Sequence, residues 1–158
     1  MMKETLVSIC TLLNKHEVDY LLIGGVAVIY HGYTRSTADL DFWYRPSLDN
    51  FYKIIKAFKE YGIDVSSLEK TVFDPKKTFL RFPTQGVKAE FLPSIPGDMA
   101  FKEAKANAEN MELDGVKIPV IGYDDLVKNK TITNRLKDQA DVEELAKRKK
   151  IQRRGLAL

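Results

Sequence analysis

Apolar residues recur at Leu6, Ile9, Cys10 and Leu13, the spacing of one helix face, and predict an amphipathic helix over about Thr5 to His16 with Cys10 on its buried side. Asp19 then leads into Tyr20-Leu21-Leu22-Ile23, a short apolar run stopped by Gly24-Gly25, which reads as a buried strand ending in a tight turn. A short helix over Val26 to Tyr30 follows, closed by Gly32. Leu40 to Tyr44 predicts a second strand. Arg45-Pro46-Ser47 separates it from a helix over about Leu48 to Tyr61, with Ser47 as N-cap, Phe51, Ile54, Ile55 and Phe58 as inner face, and Gly62 as terminator.

Thr78 to Phe82 and Val87 to Leu92 read as two further strands joined through Pro83-Thr84-Gln85-Gly86. In the second of these, Val87, Ala89 and Phe91 point one way and Lys88, Glu90 and Leu92 the other. Met99 to Asn110 predicts a helix after the break at Pro93 and Pro96-Gly97. Met111 to Leu113 and Val116 to Ile121 form a hairpin around Asp114-Gly115, and two helices, about Tyr123 to Thr131 and Asp138 to Lys150, complete the chain. Strands mixed with helices in this order predict an α+β domain.

Composition narrows the class. A chain of 158 residues fits one domain, and 44% hydrophobic with 30% charged residues excludes a disordered or collagen-like protein. The lone cysteine leaves no intramolecular disulfide partner and makes a reducing, cytoplasmic setting the expectation. The longest apolar run, Tyr20 to Tyr30, has 11 residues, against about 20 for a membrane helix, so no membrane association is expected. Leu6 to Leu13 lacks the flanks and cleavage site of a signal peptide.

The net charge of +3 is uneven: Lys147, Arg148, Lys149, Lys150, Arg153 and Arg154 leave the first 146 residues at −3. Such a tail can attract nucleic acid by releasing counterions, or can be a solvated terminus.

The chemistry concentrates in Gly24 to Asp41. Asp39 and Asp41 stand two apart on a predicted strand, so both carboxylates leave one face while Leu40 enters the core. Carboxylates held that close repel unless a cation lies between them, and Mg²⁺ takes one or two carboxylates plus water and substrate phosphates. Glu90 adds a third strand carboxylate, and Gly24-Gly25 at a strand-to-helix turn lets backbone N–H groups approach a phosphate. Singly, each feature has an ordinary reading as a turn, a solvated strand edge or an exposed glutamate; together they suggest one site. His31 has no second histidine or cysteine spaced to share a metal and reads as a packing residue. Phe42 and Trp43 could stack on a base, though burial in the sheet is the commoner fate, and Arg35 could meet a phosphate or pair with an acid.

On these residues the chain resembles the DNA polymerase beta-type nucleotidyltransferase superfamily, and within it the small bacterial nucleotidyltransferases of the abortive-infection toxin group. Gly24-Gly25, then Asp39-Leu40-Asp41 after 13 residues, match the family's glycine turn and Asp-x-Asp; His31-Gly32, Arg35-x-Thr37, and the stretch from Asp125 through Lys130 and Arg135 to Leu145 match as well. The third carboxylate, usually aspartate there, is Glu90 here.

The resemblance covers about residues 18–146. It implies a nucleotidyltransferase fold, a mixed β-sheet with helices packed on one face and a small helical C-terminal extension. As one domain, it would comprise a catalytic core over 1–95, a hairpin and helices over 96–146, and the basic tail over 147–158.

The implied reaction is metal-dependent transfer of a nucleoside monophosphate from a nucleoside triphosphate to a hydroxyl, with release of pyrophosphate. Asp39, Asp41 and Glu90 would be catalytic and would hold Mg²⁺, or Mn²⁺ in its place. Gly24, Gly25 and Lys130 would bind the nucleotide, although an exposed helix lysine is the ordinary alternative for Lys130. The toxin group implies an RNA acceptor, a tRNA end; an aminoglycoside-like compound or a protein side chain are the alternatives. The rival reading is a non-catalytic subunit that binds RNA or a cognate antitoxin protein.

Overall fold

A computed structural model describes the backbone of residues 2–156 and the side chains of residues 2–150. Thirteen elements follow one another: α1 (Met2–Lys15), β1 (Tyr20–Ile23), α2 (Gly24–Tyr30), β2 (Asp39–Tyr44), α3 (Leu48–Tyr61), α4 (Ser66–Glu69), β3 (Leu80–Pro83), β4 (Lys88–Leu92), α5 (Phe101–Ala106), β5 (Glu109–Leu113), β6 (Val116–Val120), α6 (Tyr123–Thr133) and α7 (Leu136–Leu156). The strands form one mixed sheet in the order β3-β4-β2-β1-β6-β5. The hairpin β5–β6 joins that sheet beside β1, so residues beyond 96 belong to the same sheet as those before. The architecture is the expected α+β fold.

β2 explains how the sheet carries both a core and a site. Leu40, Phe42 and Tyr44 face one side and are fully buried. Phe42 stacks on Phe91 with centroids 4.7 Å apart, and Phe58 from α3 meets Phe91 edge-on at 5.6 Å. α3 also packs along α1, and Cys10 of α1 is buried, as its periodicity predicts. Asp39, Asp41 and Trp43 face the opposite side. Trp43 is covered there by Phe101 of α5 and donates its indole N–H to the Pro93 carbonyl at 3.2 Å, so it is buried and cannot stack on a base.

The end of β2 that carries the aspartates is less covered. Because β1 runs antiparallel to β2 and β4 parallel to it, that end gathers the exit of β1 and the entries of β2 and β4. The glycine turn and the three carboxylates therefore meet at one end of the three neighbouring inner strands β4, β2 and β1.

Several elements follow their local signals. Ser47 caps α3 by accepting from the Asn50 N–H, and Gly62 ends it in a left-handed conformation with φ 107°. Asp114 and Gly115 take φ values of 50° and 79°, the paired positive values of a two-residue hairpin turn.

Other boundaries move. The helix predicted over Met99 to Asn110 is only Phe101–Ala106, because Glu109 and Asn110 pair with Val120 and Pro119 as the start of β5. α2 begins at Gly24 rather than Val26, β3 spans Leu80–Pro83 rather than Thr78 to Phe82, and the short α4 has no counterpart in the apolar pattern. The tail over residues 147–156 continues α7 as helix. Arg148 passes Gly32, and the Lys149 ammonium lies 4.2 Å from the centre of the Tyr123 ring. The side chains of Arg153 and Arg154 lie outside the described residues.

Candidate active site

The turn from β1 into α2 places Gly24 at φ +69°, where a side chain is strained. A Cβ at that position would overlap the Asp41 carboxylate. Gly25 is buried, and a Cβ there would fall 2.7 Å from Oγ1 of Thr37. The glycines thus do more than turn the chain: they clear room for Asp41 and for the Thr37 side chain on the segment that leads into β2.

Asp41 pairs across the ladder with Glu90 of β4, and the two side chains share a face. Burial, reinforced by the negative charges of Glu90 and Asp39, pushes the Asp41 carboxyl up to about 6; the positive charges of Lys137 and Lys130 partly oppose this. Glu90 is held by Arg81 of the edge strand β3, with Nε 3.1 Å from Oε1. Asp39 is more open, yet its Oδ1 is buried and accepts no hydrogen bond; the Lys88 ammonium is 3.9 Å from it.

A cavity of about 550 Å³ opens over these groups, and all six residues singled out from the sequence, Gly24, Gly25, Asp39, Asp41, Glu90 and Lys130, line it. The far wall comes from α6 and α7, where Asn134 in a left-handed conformation ends α6 and turns the chain sharply. That corner brings Lys130 of α6 onto two fully buried carboxylates of α7: its Nζ is 3.2 Å from Asp138 and 3.1 Å from Asp141. Lys130 is therefore a buried, doubly paired lysine, neither the flexible cation nor the exposed helix residue that sequence allows.

Asp141 also accepts both Nε and Nη2 of Arg35, at 2.8 and 3.0 Å, and Asp138 accepts from Arg135 at 2.7 Å and from the Thr133 hydroxyl at 2.9 Å. Burial works against ionisation of Asp138, but the hydrogen bonds from Arg135, Thr133 and Lys130 prevail and hold its carboxyl well below the usual range.

The sequence matches the profile of the aminoglycoside-2''-adenylyltransferase family over residues 5–147. The chain belongs to this family. Among solved structures it is similar to a candidate nucleotidyltransferase from Thermotoga maritima, at 17% identity over 96% of this chain and 92% of that one, with a TM-score of 0.56. It is also similar to an antigenic nucleotidyltransferase-like protein from Paracoccidioides brasiliensis, at 17% identity over 89% and 73% of the two chains, with a TM-score of 0.59. Both likenesses concern the fold. A comparison with curated proteins gives no significant match.

Family and fold together make this a nucleotidyltransferase-type protein. The match to the aminoglycoside-2''-adenylyltransferase family spans the aspartates, Glu90 and the whole α6–α7 corner.

Arg35, Thr37, Arg135 and Lys137 also line the same cavity. Arg35, Thr37 and Arg135 stand in stretches that match the family's motifs, and Lys137 in the run Arg135-Leu136-Lys137-Asp138, but no spacing rule brings them to the carboxylates, because loop, helix corner and strand converge only in three dimensions. His31 is nearly buried, with Nε2 2.7 Å from the Ile121 carbonyl oxygen, a packing role.

Among the described residues, no three histidine, cysteine or acidic side chains are gathered as a ready-made metal cage. A Mg²⁺ that takes two carboxylates and completes its shell from water and phosphate needs no such cage. The Oδ1 of Asp39, which accepts no hydrogen bond, and the repulsion borne by Asp41 fit that donor set. No helix is long and apolar enough to cross a membrane among the described residues.

Proposed function

We propose that this protein transfers a nucleoside monophosphate from a nucleoside triphosphate to a hydroxyl group of an acceptor and releases pyrophosphate. The observation that carries the reading is Asp41, seated against Gly24, paired with Glu90, two residues from Asp39, and strained by burial and like charge in a cavity walled by cations. Asp39 and Asp41 would hold Mg²⁺, which when bound offsets charge on the phosphates.

Glu90 is suited to take the proton of the attacking hydroxyl, because its bond to Arg81 fixes the carboxylate without burying it completely. The attacking oxygen then forms a bond to the α-phosphorus as the bond from that phosphorus to the pyrophosphate oxygen breaks, and the leaving charge faces the wall of Arg135 and Lys137. Gly24 and Gly25 keep the cavity floor free of side chains at the phosphates. Membership of the aminoglycoside-2''-adenylyltransferase family supports AMP as the transferred group and a small hydroxyl compound as acceptor. The basic end of α7 supports RNA as a second acceptor class, the one that a toxin-like role with a cognate antitoxin would use.

The test is pyrophosphate release from each nucleoside triphosphate with Mg²⁺ or Mn²⁺, offered an aminoglycoside or total RNA, with the double variant Asp39→Ala, Asp41→Ala as control. Acceptor-dependent release that the control lacks is expected. Release equal in both proteins, or from no combination, would contradict the reading and leave the non-catalytic subunit as the better description.

A further inference from the structure

The cavity wall contains four cations, Arg35, Lys130, Arg135 and Lys137, and their states differ. Arg35 is clamped by both oxygens of Asp141. Lys130 is buried between Asp138 and Asp141. Arg135 reaches back to Asp138 through Nε and Nη2, at 2.7 and 3.3 Å. Each of these three cations is thus already paired, the three sharing two buried carboxylates. Lys137 is different: it is exposed, lines the cavity, and makes no hydrogen bond or ion pair among the described residues. Its charge nonetheless acts on Asp41 across the cavity.

A triphosphate entering this space meets Lys137 without having to break an existing pair. Lys130 already commits two of its three donors to two buried carboxylates, and drawing its ammonium out toward a phosphate would leave them uncompensated, which is among the costliest changes in a protein interior. We propose that Lys137 is the side chain that binds the triphosphate, and that Asp138 and Asp141 are positioning residues whose grip on Lys130, Arg35 and Arg135 fixes the helix corner that presents it. The inference rests on the nucleotidyl-transfer reading of the cavity and assigns the triphosphate subsite within it. Lys137 sits one residue before Asp138, so the same first turn of α7 that buries the carboxylate delivers the free ammonium to the cavity mouth.

The experiment measures binding of inorganic tripolyphosphate with Mg²⁺ to the full chain by calorimetry, alongside the melting temperature of each protein. Lys137→Gln is expected to weaken binding by about tenfold or more, the worth of a charge-assisted hydrogen bond to phosphate, and to leave the melting temperature unchanged. Lys137→Arg should recover most of the affinity. Asp141→Asn should lower the melting temperature and weaken tripolyphosphate binding together, since the corner loosens.

In turnover, Lys137→Gln should raise KM for the nucleotide more than it lowers kcat with saturating nucleotide. Wild-type affinity in Lys137→Gln, while the wild type itself binds tripolyphosphate, would overturn the assignment and leave the nucleotidyl-transfer reading standing. No binding by the wild type would overturn both.

Discussion

Replacing Asp41 by asparagine should make the metal-free protein more stable at neutral pH, although it removes a residue at the heart of the site. The Asp41 carboxyl is pushed from its ordinary value of 3.8 up to about 6, by burial first and then by Glu90 and Asp39. Between those two values the folded protein keeps a proton that the unfolded chain has lost, so stability falls as pH rises through that window, and the cost is complete above about 6.

Converted at 1.36 kcal/mol per tenfold change, the full cost is about 3 kcal/mol. Asparagine escapes the charge term but still has to be desolvated, which leaves a gain of about 2 kcal/mol. For a chain of this size that is a rise of roughly 4–8 °C in melting temperature.

Urea or thermal unfolding in a chelator, at about pH 8 and about pH 3, reads both the gain and its disappearance in acid, where the wild-type carboxyl is protonated in the folded and the unfolded chain alike. Mg²⁺ with a nucleotide analogue should reverse the order by stabilising the wild type more than the variant. A variant less stable than the wild type at the higher pH, or a difference that does not change with pH, would refute the idea that Asp41 is held at an electrostatic cost.

Gly24→Ala forces a Cβ into the Asp41 carboxylate at a positive φ, and should cost at least about 2 kcal/mol of stability together with activity; an alanine variant with wild-type melting and turnover would show that the turn has slack. Asp138→Asn leaves Lys130 and Arg135 short of a buried partner and should lose roughly 3–5 kcal/mol at neutral pH by urea unfolding. Because the Asp138 carboxyl is held below 3.8, its stabilisation is present above that value and fades as pH falls further, so the variant and the wild type should converge in acid. Deleting residues 151–158 removes Arg153 and Arg154 but keeps Lys149 on Tyr123; if this end meets RNA, the salt slope of binding should drop by roughly 0.7–0.9 for each phosphate no longer neutralised, and an unchanged slope would refute that role.

Local rules reached far into this fold. Ser47 and Gly62 bracket α3 because a cap and a left-handed stop are decided within a few residues, and Asp114-Gly115 sets the hairpin for the same reason. The prediction overran at α5, where Glu109 and Asn110 carry no strand signature and become strand only through the ladder with β6. At the site, the alternation in β2 was enough to put Asp39 and Asp41 on one face, and β4 brought Glu90 beside them.

The state of Lys130 could not be read in the same way. Its burial depends on a left-handed Asn134 folding α7 back so that residues eight apart touch. Arg35 joins Asp141, one of the two carboxylates paired with Lys130, from 106 residues away, a pairing no periodicity encodes. Sequence could thus name the acids, whose geometry is local to strands, but not which of the cations remain free.

The most direct test of nucleotidyl transfer at the Asp39, Asp41 and Glu90 site is the fate of the nucleotide's phosphorus atoms. Parallel reactions with nucleoside triphosphate labelled at the α- or at the γ-phosphate, each with an accepted hydroxyl compound or RNA, should place the α-label in the acceptor and the γ-label in pyrophosphate. Asp41→Asn should do neither. The γ-label in the acceptor, or α-label transfer that persists in Asp41→Asn, would contradict it.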